Sequence, residues 1–224
     1  MSTQPAIETI TRPRGARATA FAFGPGPASV PARWLHETMG RSLDPLWSLL
    51  VERGSGVPGG ELSLLDHALR TATLAHDANA DDETVIACLL HNVGHLIHAE
   101  LSPRQGMEQR DRHHIFGAAF VSLWFGPGVT EPIRLHVAAK RYLCAVEPGY
   151  SRRLSPRAKR SLVAQGGPLE RDEVAVFLSS QHAGRAVELR RHADLAHRCA
   201  PDLRTLRFFR SIAERRLASM NGGR

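Results

Sequence analysis

The sequence predicts an all-α fold built around one buried helix. Between residues 64 and 75, apolar residues recur at spacings of three and four, which is the pattern of an amphipathic helix with one face against a core. Residues 85–90 are apolar on every side, as is typical of a helix at the centre of a bundle. No run of alternating apolar and polar residues competes with these patterns. We therefore expect helices to pack on helices around a single core.

Local signals predict where the helices begin and end. Ser63 can cap the helix that starts one residue later. Asp81, Asp82 and Glu83 place acidic charge at the N-terminus of the next helix, where it is favourable. Pro132 is expected in the first turn of a later helix, where the missing amide hydrogen costs nothing. Further helices are predicted over residues 113–125, 130–142, 156–164, 168–179, 184–197 and 203–218.

The first 38 residues differ from the rest of the chain. They are rich in arginine, proline and glycine, as over residues 11–17, and show no helical or strand period, so we expect disorder. An arginine-rich presequence would need an amphipathic helix, which the prolines and glycines of this segment would break. Alternatively, the extension is a mis-annotated start and translation begins at Met39, where the periodic pattern sets in. One folded domain is predicted over residues 39–218, with a tail over residues 219–224.

Composition excludes several classes of protein. The net charge is +7 and the only lysines are Lys140 and Lys159, a bias towards arginine that GC-rich genomes produce. We therefore expect no nucleic-acid partner, although a basic surface favours a small anionic substrate. The three cysteines lack CxxC spacing, which indicates neither a disulfide framework nor a cysteine zinc site and favours a cytoplasmic location. No apolar run approaches the roughly 18 residues of a membrane span.

Histidines concentrate on the predicted helices. His91 and His95 are four residues apart, so we expect them on one face of the buried helix, where an imidazole needs a hydrogen bond or a metal. His67 lies on the preceding helix, His113 opens the next one, and His136 lies on a later one. Each histidine alone is better explained as an ordinary core or surface residue. As a set they favour metal ligation, because imidazole binds iron, manganese and zinc and helices of a bundle can bring several together.

Two sets of residues make the chain resemble HD-domain proteins. The first set matches the H…HD…H…H series of metal ligands in that superfamily: His67, His91, Asn92, His113 and His136. The second set resembles motifs of the phosphonate-degrading HD-domain oxygenases: residues 136–143 (HVAAKRYL), 165–168 (QGGP) and 189–191 (LRR). The resemblance extends over roughly residues 43–216, which is most of the predicted domain.

The resemblance implies an HD-domain helical bundle with a pair of iron ions. In that family the aspartate of the HD dyad bridges the irons, which activate dioxygen to cleave the carbon–phosphorus bond of a small hydroxylated organophosphonate. By position, His67 and His91 would hold one iron, and His113 and His136 the other. The phosphonate group would be held by residues whose donors and charges suit an oxyanion, namely His95, Lys140, Gln165 and Arg190.

The sequence departs from the family at the acidic ligands. Asn92 stands where the bridging aspartate is expected, and it offers one neutral carbonyl oxygen. Ala193 stands where a later aspartate ligand is expected. Asp194 could replace that ligand only through a shift of one residue, which turns a side chain by about 100° on a helix. Glu61 lies one position from an expected glutamate. We therefore predict iron as the cofactor, with up to two ions, or one or none given Asn92 and Ala193.

Three functions are compatible with these residues. The first is an oxygenase that acts on a small hydroxylated organophosphonate and is impaired by the loss of acidic ligands. The second is an HD-type hydrolase of a small phosphate ester, which would use a metal to polarise water. The third is a non-catalytic homologue that binds phosphonate or phosphate. All three predict a small anionic ligand and neither nucleic acid nor membrane as partner, and the first also requires dioxygen.

Overall fold

Helices form all the regular structure of the residues that can be described. The computed structural model describes residues 42–56, 62–101 and 112–221, and no strand occurs within these ranges. The all-α prediction is therefore confirmed. The helices in chain order are α1 (Asp44–Gly54), α2 (Leu64–Asp77), α3 (Asp82–Leu90), α4 (Val93–Leu101), α5 (His113–Val121), α6 (Pro127–Val146), α7 (Tyr150–Arg153), α8 (Pro156–Ala164), α9 (Arg171–Leu178), α10 (Ala183–Ala196) and α11 (Leu206–Asn221).

The helix α3 lies at the centre of the bundle, as predicted. Every residue from 84 to 90 is buried, and α3 contacts α2, α6, α10 and α11. Its apolar side chains join the main core, in which Phe120 and Phe209 are also buried. Two smaller clusters extend this core, one around Phe177 and one around Tyr150. An all-round apolar helix needs such a position, because any exposed face would leave apolar surface in water.

The predicted N-cap of α2 is confirmed, and the predicted acidic N-terminus of α3 also holds a cap. The Ser63 hydroxyl accepts a hydrogen bond from the backbone amide of Asp66 at 2.9 Å, and the Asp81 carboxylate accepts one from the amide of Thr84 at 2.7 Å. Each cap satisfies an amide that the helix itself leaves unpaired. The cap of α2 belongs to the site described below, because Ser63 lines its cavity.

His91 and His95 do not share one helix, so that prediction is wrong. The helix α3 ends at Leu90, and α4 begins only at Val93. The chain turns at His91 and Asn92, between the two helices. The His91 ring lies in this turn, where its Nδ1 donates to the carbonyl oxygen of Cys88 at 2.8 Å.

The helix α6 is longer than predicted, and Pro132 lies in its interior rather than in its first turn. The proline of the first turn is Pro127. Because Pro132 has no amide hydrogen, it leaves the carbonyl of Gly128 without its helical partner. The Arg185 guanidinium lies 3.5 Å from that oxygen, and it also pairs with Glu83. Contacts from α10 and α3 thus compensate for a proline that would otherwise disrupt the helix.

The other predicted helices are present with small differences at their ends. The helix predicted over residues 113–125 stops at Val121, because the amides of Leu123 and Trp124 bond three residues back and turn the chain. The helix predicted over residues 156–164 has the predicted limits. The remaining helices are α9, α10 and α11, whose observed limits differ from the prediction by one to three residues.

Some sequence predictions concern residues outside the described ranges. Disorder of residues 1–38, a start at Met39 and a role for Glu61 all lie there, and the limits of the domain and its tail stay predictions. No helix among the described residues is long and apolar enough to cross a membrane.

A backbone contact at Gly94 sets the distance between α4 and α5. A Cβ atom at this position would lie 1.9 Å from the carbonyl oxygen of His113 and 2.8 Å from the amide nitrogen of Gly117. Backbone atoms of a packed helix cannot move aside as a flexible side chain could. The close approach also brings the rings of His95 and His113 together, with their centroids 3.8 Å apart.

We expect Gly94→Ala to destabilise the fold by about 1–3 kcal/mol or more, because overpacking against backbone forces the helices apart. Gly184→Ala is a matched control, since nothing lies within 4 Å of a Cβ atom there, and it should cost no stability. Urea unfolding of both variants measures the difference. Equal unfolding midpoints for the two variants would contradict this account of the α4–α5 contact.

Candidate metal and anion site

A cavity of about 300 Å³ lies between the helices that carry the predicted site residues. Its walls come from α2, from the turn between α3 and α4, and from α4, α5, α6, α8 and α10. The polar residues that line it are Ser63, His67, His91, Asn92, His95, His113, His136, Lys140, Ser155, Arg157, Ser161, Gln165, Arg190 and His197. Of the predicted site residues, Asp194 alone is not among the described residues that line this cavity.

The four predicted histidine ligands form a continuous row along the cavity. The ring centroids of His67 and His91 are 5.3 Å apart, those of His91 and His136 are 5.4 Å apart, and those of His113 and His136 are 5.1 Å apart. Each ring comes from a different part of the chain, and all four residues are buried. The fold therefore brings together residues that the sequence spreads over about 70 positions.

Hydrogen bonds to carbonyl groups orient two of these rings. Nδ1 of His91 donates to the carbonyl oxygen of Cys88, and Nδ1 of His136 donates to that of Ile133 at 2.7 Å. Burial lowers the pKa of His91 to about 4 and that of His136 well below its ordinary value. Both rings are thus neutral near pH 7 and keep a lone pair on Nε2. A histidine that donates its other nitrogen to a carbonyl is the usual arrangement of a metal ligand.

Three other ring nitrogens of the row have no hydrogen bond to a backbone carbonyl. Nδ1 of His67 and Nδ1 of His113 are buried without a hydrogen-bond partner. Nε2 of His113 lies 3.2 Å from Nε2 of His136, and a proton or a cation must lie between these atoms because two lone pairs repel. Burial, and then the nearby His91, lower the pKa of His67 to about 2, so this ring is also neutral.

Basic side chains form the other part of the cavity wall. Lys140 is only 3% exposed, and its ammonium group donates to the Ser161 hydroxyl at 2.7 Å. Arg157 and Arg190 also line the cavity, and the side-chain oxygen of Gln165 is buried without a hydrogen-bond partner. No carboxylate lies among the lining residues of the described ranges. Such a wall suits a compact anion, since cationic side chains bind oxyanions through charge-assisted hydrogen bonds.

Asp194 makes contacts other than those predicted for it. Its carboxylate accepts hydrogen bonds from the Arg190 guanidinium, with Nε at 3.1 Å, and from the Tyr150 hydroxyl. Ala193 lines the cavity, whereas the next residue along α10 is turned towards Tyr150. This is the rotation of about 100° that separates neighbouring residues on a helix.

His197 and Arg157 line the cavity although the sequence analysis did not single them out. The ring of His197 stacks on that of His67, with the centroids 4.3 Å apart. Helical spacing could have indicated His197, which follows Arg190 by about two turns and caps the C-terminus of α10. No such signal marks Arg157, because its neighbour on α8, Ser161, is not a predicted site residue.

Comparisons with known proteins place these residues in a family context. The HD domain family model matches residues 64–161. A hydroxymethylphosphonate dioxygenase of Gimesia maris is 37% identical over 161 residues, which cover 71% of this chain and 80% of that protein. A 1-hydroxy-2-(trimethylamino)ethylphosphonate dioxygenase (glycine-betaine-forming) of Leisingera caerulea is 37% identical over 133 residues, which cover 59% of this chain and 67% of that protein. An uncharacterized protein of Acanthamoeba polyphaga mimivirus is 26% identical over 161 residues, covering 71% and 74%.

The imidazoles of the cavity fit a metal, but no carboxylate among the described lining residues accompanies them. The unpartnered nitrogens of His67 and His113 and the lone pairs of His91 and His136 are suitable donors for a transition metal. Within the described ranges, however, no three histidine, cysteine, aspartate or glutamate side chains lie close enough to hold an ion jointly. The donor set therefore fits an imidazole-bound cation and does not supply the carboxylate that would bridge two cations.

We expect the native chain to bind fewer than two metal ions, and the double variant Asn92→Asp with Ala193→Asp to bind more. Two carboxylates would supply charge against the mutual repulsion of the cations. The measurement is elemental analysis of metal per chain, for protein that has been purified without air and loaded with iron.

The control for this change is Asn79→Asp, which alters the same functional group at an exposed turn outside the cavity. It should leave the metal content unchanged. Two irons per native chain, or no gain in the double variant, would show that Asn92 and Ala193 do not limit metal binding.

Proposed function

The chain belongs to the HD-domain superfamily, in the subfamily of the phosphonate oxygenases, and we propose that it binds a small hydroxylated organophosphonate in this cavity and cleaves its carbon–phosphorus bond with dioxygen. One observation carries the proposal. A row of buried neutral imidazoles and a set of basic side chains line the same cavity of about 300 Å³. The first set suits a redox metal and the second suits a phosphonate, so both requirements of the reaction meet in one place.

The basic side chains account for binding of the phosphonate group. Lys140 and Arg190 are largely buried, and a charge attracts an anion more strongly where water is excluded. Arg157 adds a third cation, and Gln165 adds an amide. A guanidinium can donate two parallel hydrogen bonds to a phosphonate. These residues hold the phosphorus end of the substrate, so that its hydroxylated carbon lies towards the imidazoles.

The imidazole row supports metal binding in this cavity. Iron held by His67, His91, His113 and His136 would supply the activation of dioxygen. The chain keeps these rings neutral by burial, because burial disfavours the charged imidazolium. The carbonyl oxygens of Cys88 and Ile133 fix the tautomers of His91 and His136. Rings oriented in this way present Nε2 without a proton at neutral pH.

A second function, binding of phosphonate or phosphate without catalysis, is favoured by one specific observation. Asn92 lines the cavity where the family has its bridging aspartate, and the Asp194 carboxylate is occupied by Arg190 and Tyr150. The cations that line the cavity, Lys140, Arg157 and Arg190, do not require a carboxylate at position 92. A chain that has lost turnover would therefore keep its affinity for the anion.

Turnover distinguishes these functions from each other and from hydrolysis. Protein loaded with iron is supplied with hydroxymethylphosphonate, and phosphate release and dioxygen uptake are followed together. We expect phosphate release that stops when dioxygen is removed. Phosphate release from a small phosphate ester without dioxygen, with none from hydroxymethylphosphonate, would indicate a hydrolase. Tight binding without release from either compound would indicate the non-catalytic function.

Binding of hydroxymethylphosphonate by isothermal titration, without dioxygen, tests the anion site directly. We expect Lys140→Met to raise the dissociation constant roughly 10- to 150-fold, because a charged hydrogen bond is worth about 1.5–3 kcal/mol. Methionine retains the volume of the buried side chain, so thermal unfolding should change little.

Lys159→Met is the matched control, since Lys159 is the only other lysine and is exposed on α8. It should bind hydroxymethylphosphonate as the native chain does. If both variants bind with unchanged affinity, Lys140 is not part of an anion site.

A further inference from the structure

A chain of contacts leads from Tyr150 through Asp194 to the cavity. The Tyr150 hydroxyl donates a hydrogen bond to Oδ2 of Asp194. The same carboxylate accepts hydrogen bonds from Nε and Nη2 of Arg190. The guanidinium and the carboxylate are only 12% and 14% exposed. Arg190 lines the cavity whereas Asp194 and Tyr150 do not. The contacts therefore connect Arg190, which can touch a ligand in the cavity, with Asp194 and Tyr150, which cannot.

Two bonds from one carboxylate fix the plane of the Arg190 guanidinium. A paired arrangement of Nε and Nη2 against a carboxylate leaves little freedom to rotate, which a single bond would permit. Orientation matters here because a guanidinium binds a phosphonate well only when its donors face the oxygens. An arginine side chain without such support would lose conformational freedom on binding, at a cost to affinity.

Tyr150 fixes the carboxylate in turn. Its ring is 5% exposed and packs in a cluster with Leu143, Leu154 and Leu162. Burial raises the pKa of Tyr150, and the adjacent Asp194 also raises it, so the hydroxyl keeps its proton and donates. The apolar cluster thus holds the hydroxyl in place, and the hydroxyl holds Oδ2 of Asp194.

We infer that Asp194 and Tyr150 are positioning residues, which hold the Arg190 guanidinium in the orientation that binds the phosphonate group. The inference rests on the proposed function, because it requires an anion at Arg190. It assigns to Asp194 a role different from the metal ligation that the sequence suggested. The carboxylate acts on the substrate through Arg190 and not on a metal.

The test uses variants that preserve charge. Asp194→Asn is unsuitable, since removal of a negative charge beside the site would by itself favour an anion and mask the loss of position. Tyr150→Phe removes one hydroxyl and keeps the ring, while Asp194→Glu keeps the charge and moves it. We expect each to raise the dissociation constant for hydroxymethylphosphonate severalfold, up to roughly tenfold, and to leave the iron content per chain unchanged.

Tyr142→Phe is the matched control, because Tyr142 is the only other tyrosine and lies outside the cavity lining. It should not change affinity. A double-mutant cycle with Arg190→Met measures the coupling free energy between Tyr150 and Arg190 in ligand binding, which would be zero if Tyr150 only stabilised the fold. Once Arg190 is replaced, Tyr150→Phe should have no further effect on binding.

Each outcome decides between the alternatives. If Tyr150→Phe binds hydroxymethylphosphonate as tightly as Tyr142→Phe does, the positioning role is wrong and the proposed function stands. If Asp194→Glu lowers the iron content, Asp194 is a metal ligand. If the native chain binds neither hydroxymethylphosphonate nor inorganic phosphate, the proposed function fails and the positioning role fails with it.

Discussion

The turn at His91 and Asn92, which joins the central helix to α4, is the constraint on which the site depends. Every residue of the central helix from 84 to 90 is buried, so the packing of the core sets where this turn lies. In the turn, Nδ1 of His91 donates to the carbonyl oxygen of Cys88, which fixes the tautomer of a ring that lines the cavity. The geometry of the site therefore follows from the geometry of the core. Gly94 follows directly and allows α4 to approach the backbone of α5.

The charges of the cavity wall act differently on an anion and on a pair of metal ions. Lys140, Arg157 and Arg190 line the cavity, and Arg190 pairs with Asp194 from outside the lining. These cations would attract an anionic ligand. A pair of metal ions would add positive charge to the same wall, where Asn92 offers only a neutral amide. The residues thus favour the anion more than they favour a second cation.

Sequence patterns predicted the features that depend on local chemistry. The cap at Ser63 follows from a hydrogen bond within one turn, and the burial of α3 follows from its composition. The break at His91 could not be predicted, because the apolar residues run on from α3 into α4 with no proline between them. Pro132 within α6 depends on Arg185 from a distant helix. Tyr150 could not be predicted for the same reason, since its partner Asp194 lies on another element.

The row of neutral imidazoles also couples unfolding to proton uptake. In the unfolded chain these rings would titrate near pH 6.5, whereas burial lowers the pKa of His91 to about 4 and that of His67 to about 2. Below pH 6.5 the unfolded chain therefore binds protons that the folded chain does not bind. The free energy of unfolding falls as the pH falls, until the pH reaches the pKa of each ring in the folded chain. Each unit of pH in this window removes up to about 1.4 kcal/mol for each ring. The arrangement that keeps the rings available at neutral pH thus makes the fold sensitive to acid.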